Sequence, residues 1–192
     1  MPANIEIKAH LKDPGSVRAL AGALASRPPE RLEQQDTFFR TRSGRLKLRE
    51  FGDGSAELIY YERSDITGPA RSVYLRAGVA DGPGVAELLR ACAGVRGVVR
   101  KVRNVYLIGR TRVHIDDVEG LGSFVELEVV LSQECDEDQA RGTAVELMRE
   151  LGIAEEDLVC AAYVDLLEGL DERRPPVAGL GSRSGIGNGE VP

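Results

Sequence analysis

The sequence predicts an α+β fold in which a largely antiparallel sheet carries a few helices. Three observations predict it. Several short runs alternate apolar and polar residues, which is typical of half-buried strands. These runs are separated mostly by turns, which favours antiparallel pairing of consecutive strands. A helical period appears in only a few segments, two of which begin with an aspartate followed closely by proline.

The first half of the chain is predicted to begin with a strand over 4–11 and a helix. Asp13 supplies the N-cap of this helix and Pro14 its first residue, and the pair Pro28-Pro29 stops it. Strands then follow over 37–40, 45–51, 57–63 and 72–76.

The second half is predicted to open with a helix that starts at Asp81 and to continue with three strands. These strands are expected over 98–108, 110–116 and 124–131. Beyond Asp136 the period is helical up to Gly152, and a last helix is expected over 158–166. Residues 1–170 are predicted to form one domain. The segment 171–192 is rich in Arg, Pro, Gly and Ser and is predicted to be a disordered tail.

Composition limits the classes of function. The 192 residues include 25 lysines and arginines against 31 acidic residues, a net charge of −6, which makes nucleic acid an improbable partner. The absence of a long apolar run predicts no membrane span, and the start of the chain does not resemble a secretory signal. Three cysteines without a CxxC pair argue against a disulfide framework or a zinc site. We therefore expect a cytoplasmic protein.

One face of the predicted strands is densely charged with both signs, whereas the opposite face is apolar enough to form a core beneath the helices. The charged face holds Glu6, Lys8, Arg45, Lys47, Arg49, Tyr61, Arg63, Lys101, Arg103, Arg110, Arg112, His114, Asp116, Glu126 and Glu128. Two arrangements fit this pattern. The charged face coats the solvated side of an open sheet, as is usual for antiparallel sheets, or the sheet closes into a barrel with a polar lumen and helices outside.

The closed barrel requires a ligand, because unpaired buried charges are very costly. A polyphosphate fits this requirement, since arginine and lysine are its usual binders. Glu126 and Glu128 lie on one face about 6.5–7 Å apart along a strand. With Glu6 from another strand, they suit a divalent cation with oxygen ligands, Mg²⁺ or Mn²⁺, that would bridge the phosphate oxygens.

Several motifs resemble those of a known family. The run Asn4-Ile5-Glu6-Ile7-Lys8 is similar to the ExExK signature of the CYTH superfamily, also called the triphosphate tunnel metalloenzymes. The resemblance continues, over about residues 4–168, through Gly44-Arg45-Leu46-Lys47-Leu48-Arg49-Glu50, Leu58-Ile59-Tyr60-Tyr61-Glu62-Arg63, Val99-Arg100-Lys101-Val102-Arg103 and the stretch from His114 to Glu128. Together with Asp36-Thr37-Phe38-Phe39, it is closest to the class IV adenylate cyclase branch.

The resemblance implies an eight-stranded, antiparallel, closed β-barrel, the triphosphate tunnel, with helices packed outside. It implies phosphate-binding roles for Lys8, Lys47, Arg49, Arg63, Lys101 and Arg103, to which Arg112 is added because it shares the charged face. It implies metal-binding roles for Glu6, Glu126 and Glu128, and makes Lys8 and Asp116 the candidate catalytic residues, with Asp116 orienting the nucleophile. One position differs, because Asn4 stands where the signature has its first glutamate.

Several functions remain open at this point. A class IV cyclase would convert ATP to cyclic AMP and pyrophosphate. A phosphohydrolase would instead act on tripolyphosphate, thiamine triphosphate or a nucleotide. Asn4 removes one negative charge, which favours a third alternative, a polyphosphate-binding protein without turnover. The fourth is an interaction domain with a solvated charged sheet. His114 is a proton shuttle or, more often at such positions, a hydrogen-bonded strand residue. A homodimer is compatible with the sequence, which specifies no interface.

The chain lacks the motifs GxxxxGK[ST], HExxH and GxSxG. Their absence argues against a P-loop nucleotide-binding protein, a zinc protease and a serine hydrolase.

Overall fold

Eight antiparallel strands close into a barrel in the computed structural model, which describes residues 1–173. The strands are β1 (Ala3–His10), β2 (Glu30–Phe39), β3 (Arg45–Phe51), β4 (Ala56–Arg63), β5 (Ala70–Val79), β6 (Val95–Ile108), β7 (Thr111–Val118) and β8 (Gly122–Val130). Their order around the barrel is β1-β5-β4-β3-β2-β6-β7-β8, and β8 pairs with β1 to close it. The closed arrangement is therefore confirmed, and the open solvated sheet is excluded.

Four helices lie outside the barrel: α1 (Pro14–Leu24), α2 (Gly82–Ala93), α3 (Glu137–Glu150) and α4 (Tyr163–Asp171). The predicted aspartates start the first three. Asp13 and Asp81 accept hydrogen bonds from backbone N–H groups of the first turn, and Asp136 forms a capping box with Gln139. No helix within residues 1–173 is long and apolar enough to cross a membrane.

The hydrophobic core lies between the barrel wall and the helices. Outward-facing side chains of β1, β7 and β8, such as Ile7, Ile115 and Leu127, are fully buried against α1 and α3. Each such side chain stabilises the fold by about 1.5–3 kcal/mol through burial. Because successive strand residues point to opposite sides, this packing turns the charged residues inward.

Strand β2 is longer than the sequence predicts, because its first residues escape the period-two contrast. Residues 30–36 are polar on both faces apart from Leu32, yet β2 pairs with β6 from Glu30 to Phe39. Strand β5 likewise exceeds its predicted range of 72–76.

The last helix begins at Tyr163 instead of 158. The residues before it form an extended stretch in which Leu158 bridges to Ala9 and the Val159 N–H donates to the carbonyl of Lys8. Helix α4 ends at Asp171, and the structure also describes Glu172 and Arg173. The rest of the predicted tail, 174–192, lies outside the described residues.

Candidate functional site

The lumen is a cavity of about 840 Å³ lined by side chains from all eight strands. Ten of the eleven predicted site residues line it: Glu6, Lys8, Lys47, Arg49, Arg63, Lys101, Arg103, Arg112, Glu126 and Glu128. Their strands are distant in sequence, and only barrel closure brings them together. Among lining ion-pair side chains less than a fifth exposed, seven are cationic and four are anionic.

The wall formed by β2, β3 and β6 carries more positive charge than it neutralises. Asp36 is buried and accepts from Lys47 Nζ at 2.9 Å, from Arg49 Nε at 2.7 Å and from Lys101 Nζ at 2.8 Å. Although burial opposes it, these cations hold the pKa of Asp36 well below its usual range. Burial, together with Arg49, Arg103 and Lys47, lowers the pKa of Lys101 to about 7. We call Asp36 with Lys47, Arg49 and Lys101 the cationic cluster. Its one carboxylate faces three cations, so it lacks negative charge.

The wall formed by β1, β7 and β8 brings three carboxylates close together. Glu6 lies directly opposite Glu128 in the β1–β8 register, next to the pair of Lys8 with Glu126. Burial, followed by the charges of Glu128 and Glu126, raises the pKa of Glu6 to about 7. Its ion-pair partner, Arg63, is 3.5 Å away. Like charges directly opposite destabilise a strand pair. In this acidic cluster of Glu6, Glu126 and Glu128, Lys8 and Arg103 pair with Glu126 and Arg112 pairs with Glu128. Glu6 is therefore the carboxylate with the weakest compensation.

The acidic cluster fits a divalent cation. Ligand atoms of His114, Glu126 and Glu128 all lie within 4.8 Å of one another. The Nδ1 atom of His114 is buried and has no hydrogen-bond partner among the described residues, and neither does Oδ1 of Asn4, which lines the same cavity. Buried polar atoms in native proteins are nearly always paired. Carboxylates that repel one another and polar atoms without partners are the groups that a bound cation would satisfy.

Asp116 is the one predicted site residue that does not line the cavity. It is fully buried behind Arg103, accepting from Arg103 Nε at 2.7 Å and from the Tyr163 hydroxyl at 3.0 Å. Arg103 also reaches Glu126 at 2.5 Å. Asp116 thus fixes the orientation of a cation that lines the cavity. Its predicted role in orienting the nucleophile stays a prediction.

The segment before α4 covers one end of the tunnel. Lys8 Nζ donates to the Ala161 carbonyl at 3.3 Å and lies 4.0 Å from the ring centroid of Tyr163. Arg63 donates to the carbonyl of Cys160. The other end lies about 26 Å away along β2, because eight residues separate Phe38 from Glu30 and a strand rises about 3.3 Å per residue. Because exposed residues line that end, we call it the mouth.

Sequence reasoning missed three residues of this site. Asp36 stands in a motif recognised by resemblance, but the strand around it was predicted too short to place it inside. Tyr163 comes from a helix start that only the tertiary structure brings to the tunnel. Arg45 was placed on the charged face without a role, and it binds Asp165 of α4 at 2.9 Å.

The fold and the lining define a β-tunnel protein whose lumen carries densely packed charges of both signs. The CYTH domain family matches residues 2–163, and this chain belongs to that family.

The chain is 27% identical over 176 residues to adenylate cyclase CyaB of Aeromonas hydrophila, covering 85% of this chain and 88% of that protein. It is 34% identical over 68 residues to MJ0240 of Methanocaldococcus jannaschii, named as a candidate adenylate cyclase. That match spans 35% of this chain and only 39% of the archaeal protein. The structure of HpAC1 from Hippeastrum, described as revealing a dominant triphosphatase activity, has a TM-score of 0.61 at 16% identity and covers 92% of this chain and 98% of its own.

Proposed function

We propose that this protein binds ATP with a divalent cation in the tunnel and converts it to cyclic AMP and pyrophosphate, as a class IV adenylate cyclase does. One observation carries the proposal: barrel closure places the cationic cluster, with three cations on one carboxylate, in the same cavity as the three carboxylates of the acidic cluster. A metal–triphosphate complex supplies both charges at once. A neutral ligand supplies neither charge, and a free metal ion supplies only the positive one.

The chain's own residues divide the work. The basic side chains Lys8, Lys47, Arg49, Arg63, Lys101, Arg103 and Arg112 would hold the phosphate oxygens. Glu6, Glu126 and Glu128 would hold Mg²⁺ or Mn²⁺, which when bound supplies Lewis-acid stabilisation of charge on the phosphoryl oxygens. Catalysis of this kind is mostly positioning and electrostatics. The Asp36 and Asp116 contacts serve it by fixing cations before the substrate arrives.

The mouth favours a nucleotide over a bare triphosphate. Leu32, Phe51 and Val105 point into the tunnel on the mouth side of the cationic cluster. With the far end covered, a substrate that enters phosphates first would leave its base beside these side chains. Aromatic and apolar contacts suit the face of a nucleobase. The relation to CyaB over 85% of the chain supports the same choice.

A triphosphatase is the second candidate, and the covered end favours it. Lys8 and Tyr163 close the tunnel where the terminal phosphate would arrive, so attack by water there would release inorganic phosphate. This reaction needs no base contact. The activity described for HpAC1 shows that the same fold is associated with it.

Product analysis separates the two. The purified protein is incubated with ATP, tripolyphosphate or thiamine triphosphate and with Mg²⁺ or Mn²⁺, and products are identified by ³¹P NMR and mass spectrometry. Cyclic AMP with pyrophosphate supports the cyclase. Inorganic phosphate without cyclic AMP supports the triphosphatase, and binding without any product leaves a non-catalytic polyphosphate-binding protein.

Two variants test the site itself. Glu126→Gln is expected to lower turnover by about 100-fold or more, because metal stabilisation of the transition state is worth several kcal/mol. Glu134→Gln is the control, since this glutamate forms an exposed ion pair with Arg110.

Phe51→Ala is expected to raise the KM for ATP and to leave tripolyphosphate binding unchanged. Equal effects on both ligands would contradict a base subsite at the mouth.

A further inference from the structure

His114 projects from β7 into the acidic cluster. It lies opposite Glu126 in the β7–β8 register and is 5% exposed. Its Nδ1 atom is 3.6 Å from Glu128 Oε1 and 3.9 Å from Glu126 Oε2, both too long for a hydrogen bond. A buried imidazole nitrogen without a partner is unfavourable, so its position here points to a ligand.

The surrounding cations leave one carboxylate oxygen of Glu128 without a basic partner on the side that faces His114. Arg112 donates to Oε2 of Glu128 at 2.7 Å, which leaves Oε1 of Glu128 facing the imidazole. Both oxygens of Glu126 are paired, Oε1 with Lys8 at 3.0 Å and Oε2 with Arg103 at 2.5 Å. No described lysine or arginine donates to His114, and its Nδ1 atom faces carboxylate oxygens of Glu126 and Glu128.

The spacing of the donors is close to that of a coordination sphere. Octahedral Mg²⁺ has metal–oxygen distances of 2.0–2.1 Å, so opposed donors lie about 4.2 Å apart. The ligand atoms of His114, Glu126 and Glu128 fall within 4.8 Å. Adjacent donors in the same octahedron lie about 3 Å apart, so side-chain movements of about 1 Å would bring all three onto one ion.

We propose that His114 is a direct nitrogen ligand of the divalent cation in the acidic cluster, and that this mixed nitrogen–oxygen site favours Mn²⁺ over Mg²⁺. The inference rests on the metal-dependent tunnel of the proposed function and names the metal. Mg²⁺ prefers oxygen donors and retains its water. Mn²⁺ also favours oxygen donors, but as a first-row transition ion it accepts an imidazole beside them more readily than Mg²⁺ does. The nitrogen ligand compensates in part for Asn4, the amide that replaces a carboxylate of the family signature.

The alternative is that His114 only hydrogen-bonds to a glutamate that holds the metal. Loss of such an outer partner typically lowers metal affinity 10–100-fold whichever metal is bound. A direct nitrogen ligand instead changes the ratio of affinities and gives a spectroscopic signal of its own.

The chain offers a matched control because it contains only two histidines. His10 is exposed and packs edge-on against Phe124, with ring centroids 5.0 Å apart, and it does not line the tunnel. Any imidazole coupling that survives His10→Gln must therefore come from His114.

The test uses the full-length protein with Mn²⁺ alone. Electron spin echo envelope modulation should show ¹⁴N coupling of a bound imidazole in the wild type and in His10→Gln, and none in His114→Gln. Calorimetric titration should show that His114→Gln lowers the ratio of Mn²⁺ to Mg²⁺ affinity, because a lost nitrogen donor weakens Mn²⁺ binding more than Mg²⁺ binding. Circular dichroism checks that His114→Gln is folded. If this variant does not fold, the ¹⁴N coupling measured in the wild type and in His10→Gln still decides whether an imidazole binds the metal.

Three results would overturn the inference: no Mn²⁺ binding, Mn²⁺ binding without imidazole coupling in the wild type, or an equal loss of both metals in His114→Gln. The proposed function fails separately. Imidazole coupling with no turnover of any triphosphate would refute the enzyme and keep the ligand, whereas turnover without the coupling would do the reverse.

Discussion

Lys101 is a buried lysine whose charge depends on what the tunnel contains. Its pKa is lowered from 10.5 to about 7 in the ligand-free protein, first by burial and then by neighbouring arginines and Lys47. Between those two values the unfolded chain holds a proton that the folded chain lacks. Stability should therefore rise with pH from about 7 to 10.5, and the full cost of charging Lys101 is present below 7.

Triphosphate affinity should consequently fall as pH rises above 7, because a bound anion requires the charged form of Lys101. Calorimetric titration with tripolyphosphate between pH 7.5 and 9.5 should show the fall. Lys101→Arg keeps its charge throughout this range and should bind with a nearly flat pH profile. A fall of the same size in Lys101→Arg would assign the pH dependence to another group.

Asp116 carries a structural prediction of a different kind. It balances the buried guanidinium of Arg103 and accepts from Tyr163. Removing one partner of a buried ion pair typically costs about 3–5 kcal/mol, so Asp116→Asn should lower the free energy of unfolding by about that amount. Urea denaturation measures it.

The neighbouring Asp117 provides the control for this variant. Its pair with Arg18 is largely exposed to solvent, and such pairs contribute about 0–1 kcal/mol. Asp117→Asn should therefore change stability little. Similar losses in both variants would show that Asp116 is not the special counterion that its contacts indicate.

At the scale of elements, helix α4 packs very closely against the barrel at Gly97 of β6. A Cβ atom on Gly97 of β6 would lie 2.8 Å from Cγ2 of Val164 in α4. Gly97→Ala should displace α4 and destabilise the fold by about 1–3 kcal/mol through overpacking. Hydrogen exchange should rise over 158–171, the segment that covers the tunnel end.

A second substitution makes this prediction specific. Val164→Ala in the Gly97→Ala background should recover part of the loss, because it removes the atom that clashes. Gly142 lies within α3, where a Cβ atom would meet none of the described neighbouring atoms within 4 Å. Gly142→Ala should therefore stabilise the protein by about 0.5–1 kcal/mol. No recovery in the double variant would show that α4 is held by other contacts.

Across the whole molecule, the sign of the charge differs between the chain and its lumen. The net charge is −6, while the most buried ion-pair residues of the tunnel are predominantly cationic. An acidic protein with a basic interior disfavours long polyanions in solution and accepts small ones that fit inside. Without an anion, the cationic cluster keeps its excess of positive charge.

Ligand binding should therefore stabilise the fold strongly. At 100 times its dissociation constant, tripolyphosphate with Mn²⁺ should add about 2.7 kcal/mol. For a chain of this size that corresponds to a rise in Tm of about 5–11 °C. Differential scanning calorimetry measures it, with sodium chloride at matched ionic strength as the control. The same rise with sodium chloride would mean that screening, and not occupancy of the tunnel, stabilises the protein.

Local sequence patterns predict the existence of the strands, the two faces of most of them and the starts of the first three helices. Period-two alternation is local, so Lys47 and Arg49 could be placed on one face without knowing any neighbour. The same holds for Asp13, Asp81 and Asp136, whose capping contacts lie within three residues. The motifs around Glu6 and Glu126 added the closed barrel by resemblance.

Which charged side chains contact one another depends on the tertiary structure. Asp36 contacts Lys101, 65 positions later, because β2 pairs with β6, and Tyr163 reaches Asp116 because α4 begins five residues later than its pattern predicts. Alternation specifies the face of a side chain and leaves its neighbour on the next strand open. Strand order and register settle that neighbour, and they depend on long-range packing of the whole barrel.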